Sequence, residues 1–126
     1  MKKYIASLVA VIFFAAAALA QGKGDIRFTD KSHSFGTIRE ADGPVTVEFP
    51  FVNTGDAPLV IISAVASCGC TSPEYPRKPV QPGESGVIKV TYNPAGRPGE
   101  FSKTVTVRTP DKKVKLRIKG NVIPKN

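Results

Sequence analysis

VTVRTPDKKVKLRIK, residues 105–119, is the stretch of sequence that decides the fold. Apolar residues occupy every second position on both sides of Thr109–Lys112, and Pro110 stands second in that short connection. Alternation with a period of two is typical of a strand with one buried face. Proline at the second position is favoured in tight turns. The sequence therefore predicts a β-hairpin with one apolar face and one strongly cationic face.

The cationic face of this hairpin is a candidate anion-facing surface. Its members are Lys113, Lys115, Arg117 and Lys119. The whole chain carries 18 basic against 10 acidic residues, a net charge of +8, and from Arg97 onward nine basic residues face two acidic ones. One interpretation is an ordinary solvated face that protects an edge strand. The other is a surface for a lipid headgroup, an acidic glycan or an acidic protein. Since no stacking aromatics lie between the charges, nucleic acid is not an expected partner.

Two further segments alternate in the same way, and turn-rich stretches separate the strands. Val45–Phe51 and Ile88–Tyr92 each place apolar side chains at every second position. The segments 53–58 and 81–84 are rich in Asn, Gly, Asp and Pro, which favour turns. Pro50 cannot donate to a strand ladder, so we expect its amide side to be unpaired or bulged.

The remaining segments complete the expected strand count. Leu59–Val65 is a nearly continuous apolar run, which predicts a strand buried on both sides. Ile26–Thr29 and Ser34–Ile38 are interpreted as one broken first strand. About seven short strands in about 100 residues indicate an immunoglobulin-like antiparallel β-sandwich. The structural alternative, an oligonucleotide-binding barrel, requires five longer strands and a helix.

The first 20 residues are predicted to be a signal peptide that is not part of this fold. A basic start precedes an apolar run over residues 4–20, which ends in Ala18-Leu19-Ala20, a small-residue cleavage pattern. The alternative is an uncleaved membrane anchor, although the run is slightly short for spanning a bilayer. Cleavage leaves a single domain over residues 21–126, exported to the periplasm or beyond, with no membrane-spanning segment.

Cys68-Gly69-Cys70 carries the most informative chemistry in the chain. A bridge across so short a loop stabilises the fold by only about 1.5 kcal/mol before strain, so stability alone does not explain the spacing. One interpretation is a pair of semi-buried cysteines, reduced or bridged, that shapes a loop. The others are a thiol–disulfide exchange site, a Cu(I) clamp, and intermolecular disulfides. No basic residue lies within seven positions of Cys68 to lower its pKa.

No catalytic set is visible elsewhere. His33 is interpreted as a loop histidine, and the alternative makes it a third metal ligand beside the cysteines. One histidine and scattered serines do not form a nucleophile, base and acid. Glu48, Glu84 and Glu100 show no pairing of the kind that glycosidases need. We therefore expect no catalytic residues, no cofactor and no resident metal.

Four motifs in this order resemble the bacterial Domain of Unknown Function 1573 family. They are HSFGTI at 33–38, FVNTGDAPL at 51–59, CGCT at 68–71 and QPGE at 81–84. The likeness extends from about Phe28 to Val122. It implies an exported sandwich similar to the Hydin-like and major-sperm-protein-like immunoglobulin folds, and it supplies no catalytic residues.

The sequence as a whole predicts an exported, non-enzymatic binding or structural module. We expect it to act through a sheet face or an edge strand on another protein of the cell envelope, with an anionic glycan or a lipid headgroup as further candidates. The alternative function is thiol redox chemistry or Cu(I) handling by Cys68 and Cys70.

Overall fold

The computed structural model describes residues 22–126, which form a sandwich of two four-stranded sheets. The first sheet has the order β1-β3-β6-β5 and the second β2-β8-β7-β4. The strands are β1 Ile26–Phe28, β2 Ser32–Arg39, β3 Val45–Asn53, β4 Ser63–Ala66, β5 Thr71–Glu74, β6 Ser85–Tyr92, β7 Gly99–Arg108 and β8 Lys113–Ile123. A 3₁₀ turn, Glu40–Asp42, links β2 to β3. The predicted all-β sandwich is confirmed, with eight strands where about seven were expected. The predicted signal peptide lies outside the described residues.

The four alternating strands build the core, as predicted. Their inward side chains are almost wholly buried between the sheets; they include Phe49, Phe51, Ile88, Val90, Tyr92, Val105, Val107, Leu116 and Ile118. Both predicted connections also form. The backbone amide of Thr109 donates to the carbonyl of Lys112, and that of Glu84 donates to Gln81. Burial of one face of each strand against the other sheet therefore follows directly from the period of two.

Pro50 lies in β3 opposite the point where β1 ends. Its carbonyl accepts a hydrogen bond from Thr29, just beyond the end of β1. Since the amide and carbonyl of one strand residue point to the same side, the proline nitrogen faces the end of β1. The partner strand β6 on the other side keeps its register through Val87.

The expectation of one broken first strand is wrong, because its two parts belong to different sheets. β1 pairs with β3 in the first sheet, whereas β2 pairs with β8 in the second. The β2–β8 pair at the edge of the second sheet is parallel, whereas the other strand pairs of residues 22–126 are antiparallel. A register shift between Ser34 and Thr37 accompanies Gly36, whose φ of 67° favours glycine.

The predicted strand over Leu59–Val65 is also wrong in its extent and burial. Regular pairing covers only Ser63–Ala66, and Val65 is 60% exposed. Leu59 is buried and forms an isolated bridge with Val80. β4 is an edge strand with one face outward, which exposes alternate apolar residues instead of burying all of them.

The Asn-Thr-Gly turn after β3 is held by a fully buried Asn53. Its Nδ2 donates to the carbonyls of Ala57 and Val80 at 2.8 and 2.9 Å. Its Oδ1 accepts from the amides of Asp25 and Gly55 at 3.0 and 2.9 Å. One side chain therefore joins the turn to the segment before β1 and to the β5–β6 loop. The asparagine of the Asn-Thr-Gly motif thus has a structural role.

Candidate functional site

The outer face of the second sheet gathers the basic residues of the predicted hairpin. β8 alternates, so the residues flanking buried Leu116 and Ile118 are all exposed. Arg108 on β7 pairs with Lys113 and adds a fifth cation. We call this set the cationic face; its members are Arg108, Lys113, Lys115, Arg117 and Lys119. The structure brings the four predicted residues onto one surface.

The acidic residues near the hairpin do not neutralise this face. Within residues 22–126, salt bridges join Lys23 to Asp111 at 3.5 Å and Lys112 to Asp25. The hydrogen bond from Lys112 holds the pKa of the Asp25 carboxyl below its usual value. Both bridges lie at the turn and involve no member of the cationic face, which therefore presents its charge to solvent.

An apolar border adjoins the cationic face along β4. Val65 and Ile62 are 60% and 56% exposed. Val65 pairs with Thr106 on β7, which in turn pairs with Lys115, so apolar and cationic side chains share one row across the sheet. An open groove of about 610 Å³ runs between them. The sequence interpretation missed this border because it placed the whole of Leu59–Val65 in the interior.

The second candidate site is the turn that carries the chain from β4 in the second sheet to β5 in the first. The structure joins Cys68 and Cys70 in a disulfide, with their Cα atoms 5.3 Å apart. The main chain on each side is anchored independently. The amide of Ser67 donates to Thr104 at 2.8 Å, and the amide of Asn93 donates to the carbonyl of Cys70 at 2.9 Å.

The two sulfur atoms have unequal surroundings. Cys70 is only 7% exposed, whereas Cys68 is half-buried. The hydroxyl of Thr71 lies 3.6 Å from Cys70 Sγ and 3.7 Å from Cys68 Sγ. A Cβ built on Gly69 would meet no atom within 4 Å. The turn is therefore open above Gly69 and closed behind Cys70.

Lys103 is a basic residue of β7 that lies near the start of this turn although it is distant from the cysteines in sequence. Ala66 pairs with Val105, and the amide of Ser67 donates to Thr104, so Lys103 is the next residue of β7 beyond the last of these bonds. Lys103 is half-buried, on the same side of β7 as Val105. The sequence pattern of β7 indicated this position, because Lys103 stands where the alternation places an apolar, inward-facing residue.

The structure does not bring His33 to the cysteines. His33 lies on β2, where its ring meets that of Phe35 edge-on at 4.8 Å. It pairs with Ile118 on β8, and Ile118 pairs with Lys103 on β7, so two strands separate it from the cysteine turn. At about 4.8 Å per strand that separation is roughly 14 Å, too far for a shared metal ion. Residues 22–126 contain no group of three or more His, Cys, Asp or Glu side chains placed to hold one.

An aromatic stack lies beside the turn between the two sheets. The rings of Tyr92 and Phe101 stack at 3.9 Å, and Phe101 also meets Phe35. Burial raises the pKa of Tyr92, and the charge of Arg97 opposes the rise. Tyr92 pairs with Thr71. The stack thus packs the interior next to the disulfide.

Most of the chain matches the model of one protein family. Residues 26–122 match the family described as "Protein of unknown function (DUF1573)". The chain belongs to the DUF1573 family. Its FVNTGDAPL stretch includes Asn53, which fastens the fold, and its CGCT stretch is the disulfide turn with Thr71. No curated protein gives a significant match.

Solved structures similar to this DUF1573 chain share its fold at low sequence identity. A protein of unknown function from Porphyromonas gingivalis W83 is 16% identical, with a TM-score of 0.68; the match covers 78% of this chain and 46% of that one. The secreted serine protease VesC from Vibrio cholerae is 12% identical, with a TM-score of 0.57, over 77% and 23% of the two chains. A Bacteroides ovatus GH5 xyloglucanase is 10% identical, with a TM-score of 0.53, over 79% and 19%. The DUF1573 chain thus spans less than half of each of these proteins. Among residues 22–126, no helix has the length and hydropathy needed to cross a bilayer.

Proposed function

We propose that this DUF1573 protein is an exported, non-enzymatic binding module that holds an acidic protein of the cell envelope against the cationic face. One observation carries the proposal: five exposed basic side chains share a sheet face and form no salt bridge among the described residues, and they border exposed Val65 and Ile62. Charged residues beside an apolar strip match the rim and the core of a protein interface.

The apolar border favours a protein over an anionic glycan. A polysaccharide offers many anions and hydroxyls, but it has few apolar groups to cover Val65 and Ile62. An acidic protein can place carboxylates opposite Lys113 and Lys115 while an apolar side chain fills the groove of about 610 Å³. Charge complementarity of this kind accelerates association and excludes wrong partners.

A binding role also agrees with the limited chemistry of the chain. The chain has one histidine, His33, and it lies against Phe35 on β2. Without a second base or a metal ligand at its side, His33 is poorly placed for acid–base catalysis. We therefore propose that the cationic face acts by binding and not by acid–base catalysis.

The test uses matched charge reversals on the exported protein in native envelope extracts. Lys115→Glu lies at the centre of the cationic face, and Lys78→Glu changes the net charge equally on the exposed β5–β6 loop. After chemical cross-linking, we expect one acidic protein to be captured by the wild type and by Lys78→Glu, and lost with Lys115→Glu. Equal capture by all three variants contradicts the proposal.

A second pair of variants tests the apolar border. Val65→Ser should weaken binding of the same acidic protein by roughly tenfold, since burying an exposed valine contributes on the order of 1.5 kcal/mol. Val52→Ser, on the outer face of the first sheet, should leave it unchanged. If purified protein instead binds anionic vesicles or acidic glycan, with Val65→Ser as tight as the wild type, the partner is an anionic surface and the protein proposal is wrong.

A further inference from the structure

We propose that the Cys68–Cys70 disulfide is a thiol–disulfide exchange site that accepts two electrons from an external dithiol, with Cys68 as the attacked sulfur. This inference is independent of the proposed binding function, because it rests on the two sulfur atoms and their surroundings and uses no residue of the cationic face. It rests on the unequal exposure of the two sulfurs, on the hydroxyl beside them and on the backbone bonds around the turn.

Access selects Cys68. Cys70 Sγ lies in a residue that is only 7% exposed, while Cys68 is half-buried in the turn. Gly69 presents no side chain, and the space above it is empty to 4 Å among the described residues. An incoming thiolate must approach along the S–S axis opposite the leaving sulfur. Cys68 belongs to the more exposed of the two residues, so it is the sulfur that we expect an incoming thiolate to reach.

Thr71 lies beside both sulfur atoms and can assist whichever one leaves, so the choice of Cys70 as the leaving group rests on exposure. The Thr71 hydroxyl is 3.6 Å from Cys70 Sγ and 3.7 Å from Cys68 Sγ, and the amide of Cys70 also donates to Cys68 Sγ at 3.2 Å. Donation of that O–H stabilises a thiolate more than a neutral sulfur, because hydrogen bonds to charged groups are the stronger ones. Lys103 follows on β7 one residue beyond the Ser67–Thr104 bond, so its positive charge lies near the start of the turn, where we expect it to favour a thiolate.

The fold does not depend on the bridge. The amide of Ser67 bonds Thr104 before the turn, and Asn93 bonds the carbonyl of Cys70 after it. A third bond, from the amide of Thr71 to the carbonyl of Cys68 at 3.3 Å, closes the turn itself. These bonds survive when the sulfurs separate, so the reduced turn keeps its place between the sheets.

The exchange takes place in two steps through a mixed disulfide. A thiolate of the dithiol attacks Cys68 Sγ, a mixed disulfide forms, and the Cys68–Cys70 bond breaks with the electron pair on Cys70. Cys70 takes a proton. The second thiol of the dithiol then attacks the mixed disulfide, which releases Cys68 as a thiolate and leaves the dithiol oxidised. One disulfide is lost here and one is gained on the partner.

The first experiment asks whether the folded protein exchanges. Dithiothreitol serves as the dithiol probe. Reduced glutathione serves as a monothiol probe, and its reaction is quenched early with N-ethylmaleimide, which blocks the freed Cys70 thiol before Cys70 or a second glutathione resolves the adduct. We expect dithiothreitol to give both thiols with unchanged far-ultraviolet circular dichroism. We expect glutathione to leave an adduct that peptide mass spectrometry places on Cys68. An adduct on Cys70, reduction only after urea unfolding, or an aerated protein that never forms the bridge overturns the proposal.

Single-cysteine variants measure the asymmetry directly. Cys70→Ser leaves the Cys68 thiol, and Cys68→Ser leaves the Cys70 thiol. With an aromatic disulfide reagent, we expect the Cys68 thiol to react at least tenfold faster. Equal rates, or a faster Cys70, contradict the assignment. Circular dichroism of both variants checks that each remains folded.

Two further substitutions test the neighbours. Thr71→Val, which keeps the shape of the side chain, should slow opening of the bridge several-fold; Thr46→Val on β3 is the matched control and should not. In the Cys70→Ser background, Lys103→Met should move the pH profile of Cys68 reactivity to higher pH, while Lys78→Met leaves it unchanged. If neither Thr71→Val nor Lys103→Met differs from its control, the proposed assistance is wrong.

Discussion

Replacing Asn53 by alanine tests the idea that the Asn-Thr-Gly turn is a structural fastening. The wild-type side chain satisfies four backbone groups in three segments: the amides of Asp25 and Gly55 and the carbonyls of Ala57 and Val80. Alanine offers none of these bonds. It also leaves space at a site that is fully buried in the wild type.

The expected loss follows from these four bonds. Three have partly buried surroundings, where water replaces part of the lost bonding, and each contributes about 1 kcal/mol. The bond to Val80 is wholly buried, but the carbonyl of Val80 also accepts from the amide of Leu59 at 2.8 Å, so losing the Asn53 bond likewise costs about 1 kcal/mol. The free energy of unfolding should therefore fall by about 4 kcal/mol. For a domain of this size that corresponds to a Tm lower by about 20 °C.

Urea unfolding followed by circular dichroism measures this loss, and Asn93→Ala is the matched control. Asn93 makes one exposed side-chain bond, to the amide of Ala95 at 3.1 Å, so its loss should cost under about 1 kcal/mol. A cost for Asn53→Ala below about 1 kcal/mol, or equal to that of Asn93→Ala, would refute the reasoning.

Two other predictions concern packing and acid stability. In Gly86→Ala the new Cβ would lie 2.5 Å from the buried ring of Phe51, so unfolding should become easier by about 1–3 kcal/mol; Gly69→Ala, which meets nothing, is the control, and equal effects contradict the packing argument. The amide of Gly96, and a second amide in the C-terminal tail, donate to Glu40 and lower the pKa of its carboxyl. The stability that the ionised Glu40 carboxylate contributes is therefore present above the usual glutamate pKa of about 4.3, and it is lost as the pH falls through the lower pKa of the folded state. The urea midpoint of Glu40→Gln should lie below that of wild type at neutral pH and approach it in acid, and a constant difference contradicts this.

Much of the fold follows from local pattern. The hairpin of β7 and β8 and the strands β3 and β6 appear as alternating sequence, because a period of two is a property of each chain segment alone. The prediction of a strand buried on both sides over Leu59–Val65 was wrong, because the burial of a face is not a local property. An unbroken apolar run does not reveal whether one or both faces will be covered, and here β4 lies in a two-layer sandwich, in which each sheet turns one face outward.

The candidate sites were likewise only partly predictable from the sequence. The four hairpin cations could be assigned to one face from β8 alone. Arg108, Val65 and Ile62 join them only through the pairing of β7 with β8 and β4. The cysteine pair was visible as a motif, whereas the neighbouring positive charge lies 35 positions away along the chain.

The amino-acid order by itself determined which residues turn inward on the long strands, where the chain reverses and where charge accumulates. Each of these depends on neighbours a few positions apart. Only the tertiary structure decided that β1 and β2 enter different sheets, that β2 runs parallel to β8, and that Lys103 lies near the end of the β4–β7 ladder, where the cysteine turn begins. These arrangements depend on contacts between distant segments, and their free energy exists only when both sheets have assembled.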